Sequence, residues 1–375
     1  EAYEDLMVRL EAEAGLDRGI EKLPSTETMM ERARARRRMA RPELAVLLAY
    51  AKQNLTDDLV DSDLPEATFF EDLLANYFPL PIVKRFGSLI PEHPLRRQLV
   101  ATIVANEVLN SQGITFVARL ETETGKGSPE IVRAYRTARG VAGASDRWRD
   151  IEHLAGTIDA DVVNELLSGV DDLVEDLTRW FIAHPSDLPI EERIDRYLTG
   201  FEDLAAGIRS MGPKRWQNRL ERTVGRMTRL GVPDHIAAGH AYQAELIHAA
   251  DIVDVAAANG RPVEDVGRLF FRAGSVFHID WLERQLEDLS ADTRWQRWAI
   301  IGLERELMTL RRLIVERMLA ASTDDDSDAA FAAFASETEG EITRMNRLMK
   351  ALRRDGVSDS AAIVVAIRQL EQLVR

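Results

Sequence analysis

Apolar residues recur at helical spacing in almost every segment of this chain, and that spacing limits the folds open to it. The clearest segment is RPELAVLLAYAKQNL, residues 41–55, where apolar side chains return every three or four positions from Leu44 to Leu55. Pro42 suits the first turn of a helix, and Val46 is the only β-branched residue in the segment. The apolar surface extends so far around this helix that we expect neighbouring helices to enclose it.

The sequence has no strand pattern. No segment alternates apolar and polar residues over the length of a strand, and no hairpin turn joins two such segments. The length of 375 residues exceeds the roughly 250–300 at which a single core stops growing. The sequence therefore predicts an all-α fold of elongated multi-helix bundles, arranged in two packed units without a sheet.

Stretches rich in Pro, Gly or Asp divide the predicted helices into five parts. These parts are N-terminal helices or a connector from an upstream domain at 1–40, a first helical unit at 41–143, a second bundle of long helices at 144–321, an acidic loop at 322–328 and terminal helices at 329–375. Helices are expected at 26–40, 42–60 and 329–354, and long helices near 146–183, 190–210, 213–230, 233–259, 262–289 and 292–321.

Charge and composition argue against several classes of protein. The net charge of −15 disfavours a nucleic-acid binder, because such a protein must neutralise phosphates. The chain has no cysteine, which removes disulfides, thiolate nucleophiles and cysteine-ligated metal sites together. The apolar run at residues 44–51 is far shorter than the ~18–20 residues that span a bilayer. We therefore expect no membrane and no nucleic-acid partner.

The first residues, EAYEDLMVRLEAEAGL, have neither the basic start nor the apolar core of a signal peptide. Together with the missing cysteines, this favours a cytoplasmic location. Because the chain begins with Glu and is helical at once, we expect it to be cut out of a longer polypeptide.

The motifs that mark cofactor and catalytic sites do not occur in the sequence. G-x-G-x-x-G and G-x-S-x-G are both missing, and the nearest phosphate-loop analogue, TGKGS at 124–128, has Gly127 where a Ser or Thr must follow the lysine. Glu245 and His248 form a single E-x-x-H unit, whereas a di-iron bundle needs two such units and two further glutamates. We therefore predict no catalytic, cofactor-binding or metal-ligating residue in this chain.

A stripe of neutral polar residues is the first candidate interface. Gln98, Thr102, Asn106 and Asn110 recur every four residues along one predicted helix. A fully solvated helix face usually carries Lys and Glu instead. Amides and a hydroxyl at this spacing favour hydrogen bonding between helices at a half-buried interface.

An arginine-rich segment is the second candidate interface. ERARARRRMAR, residues 31–41, includes Arg34, Arg37 and Arg38 on a predicted basic helix face. Docking on an acidic surface of another domain or subunit is one interpretation, a solvated face is another, and contact with RNA or DNA is a third. No aromatic residues interleave with the arginines, which argues against nucleic acid.

Several stretches together resemble the C-terminal region of the large bacterial NAD-specific glutamate dehydrogenases. They are RPELAVLLAYAK (41–52), NEVLNSQGITFVARLETETGKGSPEIVRAYRTAR (106–139), AADIVDVA (249–256) and GRPVEDVGRLFFRAGSVFHIDWLERQLEDLSADTRWQRWA (260–299). The resemblance covers roughly residues 15–320, and the last ~50 residues fit it weakly.

The resemblance implies a function for the parent protein rather than for this chain alone. Members of the family oxidise L-glutamate with NAD and water to 2-oxoglutarate, ammonium and NADH, and their glutamate-binding lysines and Rossmann domain lie upstream of the matched region. No catalytic residue can therefore be carried over, and we expect the isolated chain to be inactive and to bind no NAD itself.

Two hypotheses for the role of the chain follow. The first is a non-catalytic helical domain, structural, oligomerising or regulatory, that contacts the catalytic domain of the same polypeptide in a homo-oligomer. The alternative is a ligand-sensing helical domain that binds an amino acid or nucleotide effector.

Overall fold

The computed structural model describes residues 2–291, 293–321, 326–357 and 359–375. Over these ranges the chain forms 20 α-helices and four short 3-10 helices, and no strand. An isolated β-bridge pairs Ala155 with Ile158. The all-α fold class predicted from the sequence is therefore confirmed. Within the same ranges, no helix is both long and apolar enough to cross a membrane.

The helices are numbered in chain order. The first ten are α1 (Ala2–Glu13), α2 (Thr26–Arg34), α3 (Arg41–Val60), α4 (Glu71–Tyr77), α5 (Leu80–Phe86), α6 (Arg96–Gln112), α7 (Phe116–Thr124), α8 (Ser128–Val141), α9 (Ala144–Glu152) and α10 (Ala160–Ala183). The others are α11 (Ile190–Met211), α12 (Lys214–Arg229), α13 (Asp234–Leu246), α14 (Ala249–Asn259), α15 (Val263–Val276), α16 (Ile279–Glu287), α17 (Arg294–Ala320), α18 (Ser327–Glu337), α19 (Glu339–Asp355) and α20 (Ser360–Leu370). The 3-10 helices are Leu64–Glu66, Thr68–Phe70, Gly87–Leu89 and Glu371–Leu373.

The chain divides into two compact units. Unit 1 comprises Glu1–Val141 and Val174–Asp195, and unit 2 comprises Ala142–Leu173 and Arg196–Arg375. Helices α10 and α11 therefore each contribute residues to both units. The five-part division proposed from the sequence stays a prediction. Of its acidic loop, residues 322–325 lie outside the described residues, and the next helix begins at Ser327.

Helix α3, the apolar segment of the sequence, is a central helix of unit 1. Its buried residues Leu47, Ala51 and Leu55 form one stripe, and the helix packs against α1, α6 and α8. Val46 and Tyr50 lie off that stripe and pack against the apolar cluster that Leu47 forms with residues of α1. Neighbouring helices thus cover more than one side of α3, as its wide apolar surface predicts.

Helix α17 has the corresponding place in unit 2. It is the longest helix described, with 27 residues, and it packs against α14, α15, α16, α18 and α20. Thr293 caps its start, since the Thr293 hydroxyl accepts from the backbone N–H of Gln296 at 3.2 Å. Its buried stripe includes the apolar residues Leu307 and Val315, and it also includes the fully buried Arg311. A charged residue therefore lies in the core of unit 2.

The helices expected near 190–210, 213–230 and 292–321 correspond to α11, α12 and α17, but five other expected helices are shorter or interrupted in the structure. The helix expected at 26–40 ends at Arg34, and Arg36 just beyond it has φ 52°. The helix expected at 146–183 is divided into α9 and α10, with Gly156 at φ 81° in the connecting loop. A right-handed helix cannot continue through a left-handed residue, so Arg36 stops α2 and Gly156 keeps α9 and α10 from forming one continuous helix.

Three further expected helices break within unit 2. The helix expected at 262–289 breaks at His278, a non-glycine residue with φ 64°, and the break separates α15 from α16. Two α19 side chains hold that imidazole: His278 Nε2 lies 2.9 Å from Asn346 Oδ1, and Nδ1 lies 3.1 Å from an Arg353 nitrogen. Such a backbone conformation is uncommon for histidine, and it persists here because the surrounding contacts fix the side chain.

The helix expected at 329–354 breaks at Thr338, between α18 and α19. Thr338 is buried, and its hydroxyl donates to the Phe334 carbonyl at 2.7 Å, a bond typical of bent helices. The helix expected at 233–259 breaks at His248, which precedes α14. His248 belongs to the buried network of unit 2 described below.

Candidate functional site

The polar stripe of α6 lies on the surface of unit 1. Gln98, Thr102 and Asn110 are exposed, and Asn106 is half-buried. Thr102 uses its hydroxyl within the helix, because Oγ1 donates to the Gln98 carbonyl at 2.7 Å. The opposite face of α6 packs mainly on α3, α4 and the 3-10 helix Leu64–Glu66. The stripe is therefore accessible to a partner, and its role as an interface stays a prediction.

The predicted arginine surface also lies on unit 1, at the end of α2. Arg34, Arg37 and Arg38 are all exposed, and only Arg34 is helical, so these residues do not form one helix face. A neighbouring arginine is structural: Arg32 Nη1 donates to both Glu43 carboxylate oxygens, at 3.0 and 2.8 Å. That contact lowers the pKa of Glu43, whose carboxylate also accepts the Ala40 N–H at the start of α3.

A small polar cluster joins α1, α3, α7 and α8 inside unit 1. The Ser128 hydroxyl lies 2.7 Å from Asp58 Oδ2 and 2.6 Å from Glu121 Oε1, and Arg9 is ion-paired with Glu121. The adjoining cavity has a volume of about 20 Å³ and is lined by apolar residues together with Arg9, Asn54, Asp58 and Ser128. This volume accommodates about one water molecule, so an amino acid or nucleotide does not fit it.

The most deeply buried charged side chain among the described residues is that of Arg311 in unit 2. Its guanidinium is fully buried and forms ion pairs with Asp280 and Glu283, the latter at 3.1 Å. Arg311 Nη1 also lies 2.8 Å from His248 Nε2. We call the side chains of Arg311, Asp280, Glu283, His248 and Glu245 the buried network. Its members come from α13, the α13–α14 junction, α16 and α17.

The helices around the buried network leave room for its side chains. Gly274 on α15 faces them, and a Cβ built there would lie 2.7 Å from Arg311 Cζ, inside van der Waals contact. The Phe270 ring on the same helix lies 5.4 Å from the His248 ring and 5.6 Å from Arg311 Cζ. His248 directly precedes α14, and His278 directly precedes α16, the helix that carries Asp280 and Glu283.

A second set of ion pairs borders the buried network. Arg312 Nη1 lies 3.0 Å from Asp251 and 3.6 Å from Asp254, both on α14, and Arg312 Nε lies 3.0 Å from Glu316. Glu245 is buried and is ion-paired with Arg219 of α12. These pairs link α12, α13, α14 and α17 around the core.

Burial and charge shift the protonation of the network in opposite directions. Burial raises the pKa of Glu283 to about 7, although Arg311 acts against that rise, and burial also raises the pKa of Glu245. About a fifth of the Glu283 side chain is exposed, but its Oε1 atom is out of contact with solvent. Burial and the Arg311 charge lower the pKa of His248 well below its ordinary value. The imidazole is therefore neutral, and its Nε2 accepts from Arg311.

The charge of Arg311 is maintained by its neighbours. Burial alone would lower its pKa, but the carboxylates of Glu283, Asp280 and Glu245 together outweigh burial and raise it. The network thus consists of a permanent cation enclosed by several acidic groups, with one of them near half-protonation at neutral pH. Such an arrangement orients α13, α16, α17 and the start of α14 against one another, because each charge needs its partners in place.

Both side chains of the E-x-x-H unit, Glu245 and His248, are engaged in these contacts. Glu245 pairs with Arg219, and His248 pairs with Arg311, so neither side chain points to a shared ligand position. Over the described residues, no group of three or more His, Asp or Glu side chains is arranged to hold a metal ion.

The sequence contained one usable signal for this network, and the sequence-based predictions missed it. In LMTLRRLIVERM (307–318), Arg311 is four residues after Leu307 and four before Val315, so helical periodicity places it on the core stripe. A charged residue at a core position predicts buried partners. Which acidic residues supply them is not readable from spacing.

Taken together, these features define an all-helical region with a fully buried arginine and its ion-pair partners in the core of unit 2. The chain belongs to the family described as "Glutamate dehydrogenase, C-terminal", whose model matches residues 36–372. This match confirms the resemblance found in the sequence.

Three relatives are each named NAD-specific glutamate dehydrogenase. The protein of Pseudomonas aeruginosa is 28% identical over 100% of this chain and 23% of its own length. The protein of Halomonas elongata is 27% identical, over 99% of this chain and 23% of its own length. The protein of Mycobacterium tuberculosis is 26% identical, over 98% and 22% respectively. The chain thus spans just under a quarter of the length of the curated relatives it matches.

Proposed function

We propose that this chain is the C-terminal helical region of a large NAD-specific glutamate dehydrogenase and acts there as a non-catalytic structural or regulatory domain. The parent enzyme oxidises L-glutamate with NAD and water to 2-oxoglutarate, ammonium and NADH. The observation that carries the proposal is the family match, which extends over residues 36–372 while relatives of that name are about four times longer.

The buried network supports the non-catalytic role. Catalytic groups must reach a substrate, whereas Arg311 is fully buried and its charge is matched by Asp280 and Glu283. Its ion pairs hold helices together, which is what a scaffold or a domain that transmits a structural change requires.

The partners proposed for the chain are the catalytic domain of the same polypeptide and other copies of the enzyme, in the cytoplasm. The exposed stripe Gln98, Thr102, Asn106 and Asn110 and the exposed Arg34, Arg37 and Arg38 are the surfaces proposed for these contacts. We propose the structural or regulatory role in preference to the ligand sensor, and the cavity beside Arg9, with a volume of about 20 Å³, does not itself accommodate an amino acid or a nucleotide.

A direct assay tests the proposal. The isolated chain and the full-length parent are each mixed with glutamate and NAD, and NADH formation is followed by absorbance. Turnover by the parent and none by the chain is the expected result. Clear turnover by the isolated chain would overturn the non-catalytic role, and a parent without glutamate-dependent NAD reduction would overturn the assignment of the enzyme.

A further inference from the structure

Unit 1 exposes a group of large apolar side chains within a short segment. Tyr77, Leu80, Ile82, Phe86 and Leu89 are between 41% and 71% exposed, and they come from the end of α4, from α5 and from the 3-10 helix that follows. We call these five side chains the 77–89 patch. Single exposed apolar residues are ordinary on a protein surface, but a cluster within 13 consecutive positions is typical of an interaction site.

Helix α5 shows most clearly that this segment lacks packing within its own unit. Its sequence is LPIVKRF, and none of its seven residues is buried. By contrast, α2 also buries no residue, but it consists mainly of polar and charged residues, TETMMERAR. An apolar helix gains stability when water is removed from its side chains, so α5 favours a partner that covers it.

The charge of the segment restricts that partner. Residues 73–91 contain no Asp or Glu, although the whole chain has a net charge of −15, and they contain Lys84 and Arg85. Both cations are exposed, and the Arg85 guanidinium lies over the Phe86 ring at 5.1 Å. Two copies of the patch placed face to face would bring these cations together, which opposes self-association through the patch. The complementary surface is apolar with acidic residues at its edge.

We propose that the part of the parent polypeptide outside this chain covers the 77–89 patch with such a surface. This inference rests on the proposed function, since it takes the chain to be one region of a longer enzyme. Relatives have more than three quarters of their length outside the matched region, which supplies ample covering surface. Covalent linkage gives that surface an effective concentration of about millimolar order, so even a weak apolar contact is occupied.

The missing cysteines make a thiol-protection experiment possible. Leu80→Cys and Leu89→Cys each place one reactive thiol in the patch, at sites that are 71% and 59% exposed. Val365→Cys, at a 52% exposed apolar position on α20, is the matched control. Each variant is made in the isolated chain and in the full-length parent, and maleimide labelling of that one peptide is followed by mass spectrometry.

All three thiols should react in the isolated chain. In the parent, the thiols at positions 80 and 89 should react about tenfold or more slowly, while the thiol at position 365 keeps its rate. Equal labelling at positions 80 and 89 in both proteins overturns the proposal, as does equal slowing at position 365. Labelling of the isolated chain that slows with rising chain concentration assigns the patch to a second copy and also overturns it.

Glutamate-dependent NAD reduction is measured on the same parent preparations. An active parent with unprotected thiols means that the covering proposal fails while the proposed function stands. An inactive parent with protected thiols means that the proposed function fails while the covering proposal stands. The two failures are therefore distinguishable.

Discussion

Replacing Arg311 by methionine tests the importance of the buried network most directly. Methionine keeps an unbranched aliphatic stem like that of arginine but has no charged group. The substitution therefore removes the charge and the hydrogen bonds with little change in packing. It leaves Asp280, Glu283 and Glu245 in the core without the cation that they surround.

The expected loss of stability is large. Removing one partner of a buried ion pair costs about 3–5 kcal/mol, because the remaining charge stays desolvated. Two features of this site decide how large the loss of stability is within that range. Arg311 is fully buried and has three polar partners, which places it near the upper end of that range. The high pKa of Glu283 lets this residue become protonated, which reduces the loss. We expect about 3–4 kcal/mol.

The assay is urea unfolding followed by far-ultraviolet circular dichroism, combined with hydrogen exchange resolved to peptides. Because the chain has two compact units, hydrogen exchange is needed to assign the destabilisation to unit 2. Arg149→Met is the matched control in the same unit. Its ion pair with Asp146 has both side chains more than 60% exposed, so at most about 1 kcal/mol is expected.

The double variant Arg311→Met, Glu283→Gln separates the two contributions. If the leftover carboxylate causes much of the loss, making it a neutral amide should recover about 1 kcal/mol or more. An Arg311→Met chain as stable as Arg149→Met, with equal exchange across α15, α16 and α17, would refute the role assigned to the network.

Two other substitutions have expected outcomes in the same unfolding assay. Gly274→Ala should destabilise the chain by about 1–3 kcal/mol, because its Cβ would collide with Arg311 and Asp280, whereas Gly302→Ala on exposed helix surface should be neutral or stabilise by up to about 1 kcal/mol. For Glu283, the folded pKa of about 7 lies above the unfolded value, so the wild type loses stability as pH rises from about 4.5 to about 7. Glu283→Gln lacks that loss, so its free energy of unfolding relative to that of the wild type should rise by about 1–3 kcal/mol as the pH rises from about 5 to about 8. A relative stability that falls over the same rise in pH would contradict the raised pKa of Glu283.

Much of the fold could be predicted from local sequence. Helix α3 begins at Arg41 with Pro42 in its first turn and buries the stripe from Leu47 to Leu59, as the periodicity of the segment indicates. Helical periodicity reports only whether a face is apolar. The apolar pattern therefore continues through His248, His278 and Thr338 and does not indicate that the helices break there. The side chains of His248 and His278 contact residues far away in the chain, whereas the Thr338 hydroxyl bonds to Phe334 only four residues earlier.

The candidate surfaces were less predictable. Spacing placed Gln98, Thr102 and Asn110 on one side of α6, and the structure shows that this side is exposed. Spacing also suggested one basic helix face for Arg34 and Arg37, but α2 ends at Arg34. A run of arginines has no strong local preference that marks where a helix stops.

The sequence by itself determined the all-α class, the family and the apolar identity of α3, because these depend on periodicity and residue type within short segments. Only the tertiary structure decided how Arg311 is accommodated. Its partner His248 lies 63 residues away in sequence, and Asp280 and Glu283 lie 31 and 28 residues away. Ion pairing over such separations depends on how the helices pack, since a buried charge is stable only where partners from other helices converge on it.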